Sequence, residues 1–429
     1  MPNEQLIAAN DRVPEQVWVV GAGIIGLTAA LQLQAHGLQV TIIDKEGVAA
    51  GASQGNAGHF ATSEIFPLAD PKLLLNLPKM LIDPLGPIRI LPQYFFRALP
   101  WFSRFAVNML PNKRLKNSNA IKGLNCLSIH AMKELTQSCD CANLIVTNGS
   151  LLVFEKTPFS RVVQQWHRYA DEGVPVRLLT GNEARQLEPS LSPNIEYALF
   201  FTETGHTKSP KSLCEAFAAT FIERGGEILR AELNDIETGK QLSLKYTSDD
   251  GQSERIATPE KLLLTTGAWS KIFTTKLGYK VPLDTERGYH LMLPNKIPLH
   301  RPVTSFERKF IITPMSEGTR LAGIVEFGGL HAPKSNGCSE RFLVHGKAII
   351  PMLENVNEFH DGVEWMGFRP SLPDSLPVLG KTKHSNVFVS FGHQHLGLTW
   401  SALTAKLVIQ QMTGRKTDID MEPYSIERF

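Results

Sequence analysis

Val17-Trp18-Val19-Val20-Gly21-Ala22-Gly23-Ile24-Ile25-Gly26 is the segment from which the architecture follows. Its four apolar residues, three of them valine, have the texture of a buried parallel strand. They run into Gly-x-Gly-x-x-Gly, and an amphipathic helix is predicted from Leu27 to His36. A second buried strand, Val40-Thr41-Ile42-Ile43, stops at Asp44. The glycines have separate tasks. Gly21 permits the tight turn, Gly23 lets backbone approach a pyrophosphate, and Gly26 lets the helix pack close to the strand. Free N–H groups and the dipole at the helix N-terminus favour that negative charge. Asp44 falls about 20 residues beyond the glycines, where a carboxylate bonds ribose hydroxyls and repels a 2′-phosphate. Glycines alone would also suit a chance turn in an α/β protein; strand, glycines, helix, strand and acid in this order are far more specific.

The 429 residues suffice for two domains with cores of their own. A formal charge of +2, from 44 basic and 42 acidic residues, gives no electrostatic ground for binding nucleic acid. The five cysteines are Cys126, Cys139, Cys141, Cys214 and Cys338. An odd count without a Cys-x-x-Cys pair argues against a disulfide framework or zinc site, so no metal and a reducing, cytoplasmic setting are expected. No secretory signal is visible, and residues 1–16, with Pro2 and Pro14, read as a loose tail. No apolar run is long enough to span a bilayer.

One region is unusual. Between Ile65 and Pro111, Leu73-Leu74-Leu75, Tyr94-Phe95-Phe96 and Trp101-Phe102 are interspersed with Lys72, Lys79, Arg89, Arg97 and Arg104. Short, Pro-broken amphipathic helices fit this texture. They suit either the inner face of a membrane or a cap on the second domain. The cap is the commoner arrangement, so at most peripheral membrane contact is expected.

Further along, strand texture recurs at 150–154, 227–229, 242–246, 261–265 and 387–390, and helical texture at 159–171 and 398–411. Arg287–Leu293 and Arg320–Phe327 alternate as antiparallel strands do. The interleaving predicts an α/β protein. Residues 1–61, 196–277 and 365–429 would form a discontinuous, Rossmann-like nucleotide domain on a parallel sheet. Residues 62–195 and 278–364 would form an inserted α+β substrate domain on a mixed or antiparallel sheet.

Three more segments have the small, glycine-rich character of cofactor turns: Gly51–His59, Lys261–Trp269 and Ser390–Thr399. The last joins a strand to a helix N-terminus, again presenting free N–H groups. Such turns at the start, middle and end of one chain imply a long ligand crossing the domain, which suits FAD better than NAD. The expected cofactor contacts are Gly21, Gly23, Ile24, Ile25, Gly26, Asp44, Lys45, Gly51, Ser53, Asn56, Ala57, Gly58, His59, Thr266, Gly267, Trp269, Gly392, His393, Leu396, Gly397, Leu398 and Thr399.

Several of these motifs carry a resemblance. Gly21–Gly26 with Asp44, Ser53…Asn56-Ala57-Gly58, Thr266-Gly267-Ala268-Trp269, Arg287-Gly288-Tyr289, Gly367-Phe368-Arg369-Pro370 with Asp374 and Pro377-Val378-Leu379-Gly380, and Gly392-His393…Leu396-Gly397 are similar to segments of the FAD-dependent D-amino-acid oxidase and glycine oxidase superfamily. Within it the chain most resembles bacterial D-amino-acid dehydrogenases. The resemblance spans all but the first 15 or so residues. It implies hydride transfer from the Cα of an amino acid to flavin N5, then an imine that hydrolyses to a 2-oxo acid and ammonia, or stays cyclic for a proline analogue. It implies that Arg369 holds the substrate carboxylate, for which a guanidinium fork is suited; an ion pair steadying the loop is the alternative. Tyr289 would bond the carboxylate or wall the cavity, or else be structural. His59 and His395 would face the flavin ring or the substrate amine, or else be a loop histidine and a supporting residue. No third ligand accompanies His393 and His395, so they are not read as a metal pair. The expected activity is a D-amino-acid dehydrogenase feeding a quinone or electron carrier, with 4-hydroxy-D-proline a plausible substrate type. The competing readings are an O2-using oxidase of the glycine or sarcosine type and a non-catalytic flavoprotein subunit, the latter opposed by Arg369.

Overall fold

The valine-rich strand Gln16–Val20 lies in mid-sheet, as an apolar run without alternation requires. The structure is a computed structural model that describes residues 15–249, 251, 253–294, 297–356 and 362–429. Of the expected tail, residues 1–14 lie outside the described residues, and Gln16 opens the first strand.

The first sheet has eight strands. Across it run Glu254–Ala257, Ser243–Ser248, Glu227–Glu237, Gln39–Asp44, Gln16–Val20, Lys261–Leu264, Val387–Phe391 and Val378–Lys381. The pairings from Glu227–Glu237 through Val387–Phe391 are all parallel. Alternate residues feed two cores. Val17, Val19, Val40 and Ile42 pack under the helices Ile24–Ala35, Pro210–Glu223 and Gly397–Met412. Trp18, Val20, Ile43, Leu262 and Leu264 face the opposite side, with Phe273 and Leu277. Each such side chain, withdrawn from water, contributes on the order of 1.5–3 kcal/mol.

The second sheet has nine strands and is mixed. Its path is Val363–Ser371, Asp284–Leu293, Gly318–Phe327, Phe310–Met315, Val303–Ser305, Ser150–Phe154, Tyr197–Phe201 and Val176–Thr180, with Ile88–Ile90 paired beside Gly318–Phe327. The expected antiparallel pairing of the segments at 287–293 and 320–327 is present. A three-stranded sheet of His59–Phe60, Gly205–Thr207 and Ile145–Val146 completes the strands. The fold class read from sequence, a Rossmann-like parallel sheet with a mixed-sheet partner, is the architecture found. Tyr197–Phe201 and Val363–Ser371, which the expected bounds at 196 and 365 place wholly or mostly with the nucleotide domain, pair within the second sheet. We propose domain boundaries near 202 and 372 instead.

The apolar region forms the helices Pro71–Ile82 and Phe95–Asn108, followed by the long Pro111–Ser138. Pro111 sits in a first turn, where its missing N–H costs nothing. Trp101, Phe105 and Met109 recur at helical spacing and pack with Ala69 against Phe327 of the second sheet. Trp101 stacks on Phe105 with ring centroids 5.0 Å apart. Among the described residues no helix is long and apolar enough to cross a membrane, and all five cysteines are free.

Candidate active site

Parallel strands bring the predicted turns to one edge. Gln16–Val20, Gln39–Asp44, Lys261–Leu264 and Val387–Phe391 all point the same way. The glycine turn, Asp44, Thr266-Gly267 and Gly392 therefore lie at the carboxyl ends of neighbouring strands, where open α/β sheets bind ligands.

The first turn is as tight as its glycines allow. Gly21 has φ +113°, and a Cβ there would meet the Thr265 carbonyl oxygen at 2.8 Å. A Cβ on Gly26 would lie 1.8 Å from the Gly21 oxygen. The helix Ile24–Ala35 starts at Gly23, which offers no capping side chain; a Cβ there would meet Ser53 Oγ at 3.0 Å. The Ile24 N–H donates to Ser53 Oγ at 2.9 Å. Asp44 accepts the N–H groups of Ala22, Glu46 and Gly47 at 2.8, 2.8 and 2.9 Å, fixing its carboxylate beside the glycine turn. The loop at Ser53 folds on itself: Asn56 Nδ2 donates to the Ser53 carbonyl and the Gly58 N–H to Asn56 Oδ1. A helix N-terminus with glycine at its cap, a backbone cradle that a Cβ would crowd and a carboxylate at the next strand end suit a dinucleotide.

Other cofactor expectations divide. Trp269 keeps 40% of its surface exposed and packs edge-on against Phe368. Thr399 Oγ1 accepts the Ala61 N–H at 3.0 Å, tying the last helix to the His59 segment. His393 turns its buried ring to Thr404 Oγ1, 3.1 Å away beneath the turn, and has its backbone to offer at the edge. Ile24, Leu396 and Leu398 likewise bury their side chains in the core and have only backbone to offer. Lys45 pairs with Glu232 at the surface, 3.0 Å away, and a Cβ on Gly51 would meet nothing within 4 Å.

The second sheet supplies a floor. On Asp284–Leu293, Glu286, Gly288 and His290 share one face and Arg287, Tyr289 and Leu291 the other. Gly288 pairs with Gly367, and a Cβ on it would meet Arg369 Cζ at 2.5 Å. Glycine thus makes the space for the guanidinium. Arg369 Nη1 donates to the Ile324 carbonyl at 3.3 Å. Ile324 is the extra residue of a bulge opposite Gly288/Tyr289 and has φ +56°, a strained state for a β-branched residue. No ion pair holds Arg369 among the described residues. Its nearest acid, Glu286, is buried, accepts from Ser371 Oγ at 2.6 Å, and has its pKa raised by burial against the pull of Arg369.

His395 keeps ring surface accessible yet is enclosed by protein; burial and then Arg369 hold its pKa down to about 4. His59 lies opposite His206 on paired strands. Burial, then His206 and His395, lower His59 to about 3, and burial with Lys208 lowers His206 to about 4. His59 Nε2 and His206 Nδ1 are buried without a hydrogen-bond partner. Arg369, His395, His59 and His206 therefore form one group of interacting side chains. Tyr289 takes the other face of its strand. Its phenol, 1% exposed, donates to Glu326 Oε1 at 2.7 Å on the face away from Arg369, beside the buried Arg287–Glu326 pair. It is a core residue and not part of this group.

Sequence reasoning missed His206, Thr265, Arg320 and Trp365. Thr265 Oγ1 clamps the glycine turn through the Val20 carbonyl at 2.7 Å. Arg320, buried, supports the loop through the Asn56 carbonyl at 2.6 Å. Trp365 stacks on His290, centroids 5.1 Å apart, while His290 Nδ1 contacts the Gly55 carbonyl at 2.7 Å. Only Thr265, at a strand end facing the glycines, had a readable signal.

A parallel sheet with nucleotide turns along one edge, joined to a mixed sheet that carries Arg369 beside a group of histidines, defines a dinucleotide-binding oxidoreductase. The family model described as FAD dependent oxidoreductase matches residues 16–411, and the chain belongs to that family. FAD is accordingly its cofactor. The chain is 30% identical over 420 residues to a D-amino-acid oxidase of Bradyrhizobium diazoefficiens, covering 96% of this chain and 98% of that one. It is 25% identical over 422 residues to a D-amino acid dehydrogenase of Rhizobium rhizogenes, covering 96% and 100%. Glycine oxidase from Geobacillus kaustophilus has a similar fold, with a TM-score of 0.74 at 21% identity over 97% of this chain and 99% of that one.

Proposed function

We propose that the protein oxidises a D-amino acid and passes the electrons to a respiratory acceptor, a quinone or an electron carrier, with peripheral contact to the membrane that holds it. The observation that carries this reading is Arg369: a desolvated guanidinium on the second sheet, without an ion pair among the described residues, beside histidines held neutral. A carboxylate is the natural complement to an unpaired fork. FAD supplies the hydride acceptor when bound. Arg369 fixes the carboxylate and hence the direction of the Cα–H bond. His59 and His395, neutral because charging them in this enclosure is costly, offer ring nitrogens to the amine without adding positive charge. The amine then binds uncharged, and loss of the hydride and an N–H proton leaves an imine. Water converts the imine to a 2-oxo acid and ammonia, unless a ring retains it. A cyclic substrate such as 4-hydroxy-D-proline fits the same anchoring.

The curated relatives include both an oxidase and a dehydrogenase, so an O2-using reading has its own support. Anaerobic titration of the yellow holoenzyme with D- and L-amino acids, prolines included, tests the proposal. D-enantiomers should bleach the flavin, and air should reoxidise it slowly and with little peroxide. Bleaching by L-enantiomers alone would overturn the stereochemistry; rapid peroxide formation would make it an oxidase.

A further inference from the structure

The helices Pro71–Ile82 and Phe95–Asn108 present two apolar faces, and the second sheet covers only one. Inward, Leu73, Trp101 and Phe105 share a cluster over Phe327, which holds one face of each helix against the second sheet. Outward, Leu74, Ile82, Phe96, Leu99, Val107 and Leu110 are exposed, Ile82 and Phe96 by 80% each. Scattered apolar residues on a surface are ordinary; this many on two helices that share one cluster form a patch.

Charge says what covers it. Residues 71–116 contain eight Lys and Arg and one acid, Asp83, a formal +7. The whole chain is +2, so the remaining residues together carry −5. Arg97, Arg104, Lys113 and Lys116 are exposed along or beside the apolar face. A second copy of the chain would set this positive field against itself. A soluble acidic protein would satisfy the charge but not so much projecting Leu, Ile and Phe. Apolar side chains that project past a fringe of bases match a bilayer with anionic headgroups.

We infer that these two helices dock the protein on an anionic lipid surface, apolar residues entering the acyl boundary and bases meeting phosphate. The inference rests on the acceptor side of the proposed function. An open groove of about 700 Å³ starts at Arg104 and Val107 and reaches Pro373 and Leu376. Its far wall adjoins the cofactor edge, since Gln394 Nε2 donates to the Leu372 carbonyl at 2.9 Å. Docking on this face would bring the bilayer close to that edge.

Flotation of the full-length holoenzyme with vesicles tests it. Vesicles of phosphatidylglycerol and phosphatidylethanolamine should carry the protein at low salt; pure phosphatidylcholine should not. Arg97→Glu with Arg104→Glu should lower the partition by about 30-fold or more, from roughly a fivefold loss for each base removed. Phe96→Ser with Leu99→Ser should lower it too, while FAD content and flavin bleaching by substrate stay unchanged in both variants. Absence of flotation with anionic vesicles overturns the inference. So does a dimer in light scattering that Phe96→Ser with Leu99→Ser dissociates, which would make the patch a contact between copies. Substrate bleaching needs no lipid, so a failed activity and a failed docking are separately visible.

Discussion

Arg369 owes its position to what is absent around it. Gly288 has no Cβ to fill the guanidinium's space, and the buried Glu286, its carboxyl pKa raised, is a weak counter-ion. Arg369→Lys keeps the charge and loses the planar fork, so a carboxylate would sit loosely and at a poor angle for hydride transfer. We expect kcat/KM to fall by about two to three decades, with FAD content unchanged, because the flavin-binding turns lie on the first sheet. Near-normal kcat/KM, or loss of FAD instead, would move Arg369 to a structural role. Gly288→Ala makes a sharper test, since its Cβ would stand 2.5 Å from Arg369 Cζ. The guanidinium must shift, and KM should rise more than kcat falls. An unchanged KM would show that Arg369 does not anchor the substrate.

Between strand and helix, the first glycine turn leaves no slack. A Cβ on Gly26 would lie 1.8 Å from backbone, which no rotamer can relieve, so the helix Ile24–Ala35 must move off its strand. Gly26→Ala should therefore purify with less than about a tenth of its FAD, and absorbance per protein measures this directly. Full FAD occupancy would mean the cofactor does not depend on this close packing. This element was legible because its constraints are local: strand, turn, helix and acid all fall within residues 17–44. The carboxyl-edge placement of Thr266-Gly267 and Gly392 was legible for the same reason, each being a strand end followed by glycine. The floor was less so. For Tyr289 the sequence leaves a cavity-facing and a structural role open, because alternation defines two faces without saying which is inward. His206 was missed because its link to His59 is a pairing across 147 positions, and nothing in Gly205-His206-Thr207 records its partner. The bulge at Ile324 is another such case: it follows from the register of two strands and has no residue signature there.

Buried histidines tie the stability of the whole molecule to pH. His59, His290 and His393 are lowered to about 3, and His206 to about 4, in each case mainly by burial. In the unfolded chain a histidine titrates near 6.5. Between that value and about 4 the unfolded state binds protons that the folded state refuses, so stability rises with pH and is lost on acidification through this window. Glu64, Asp284 and Glu286 have raised pKa values and act in the opposite sense, stabilising the fold as pH falls. The lowered histidines outnumber these acids, so they should dominate from pH 6.5 to about 5. At pH 5 a fully buried neutral histidine such as His393 has lost about 2 kcal/mol of its contribution at neutral pH. Denaturant unfolding of the FAD-loaded protein in excess FAD, from pH 8 to pH 5, should show a falling midpoint and a net uptake of protons on unfolding. His393→Asn retains a polar partner for Thr404 and should remove about one proton from that uptake below pH 6. A proton uptake unchanged in the variant would mean that His393 is charged in the folded protein, and that its burial beneath the Gly392 turn is not what the structure describes.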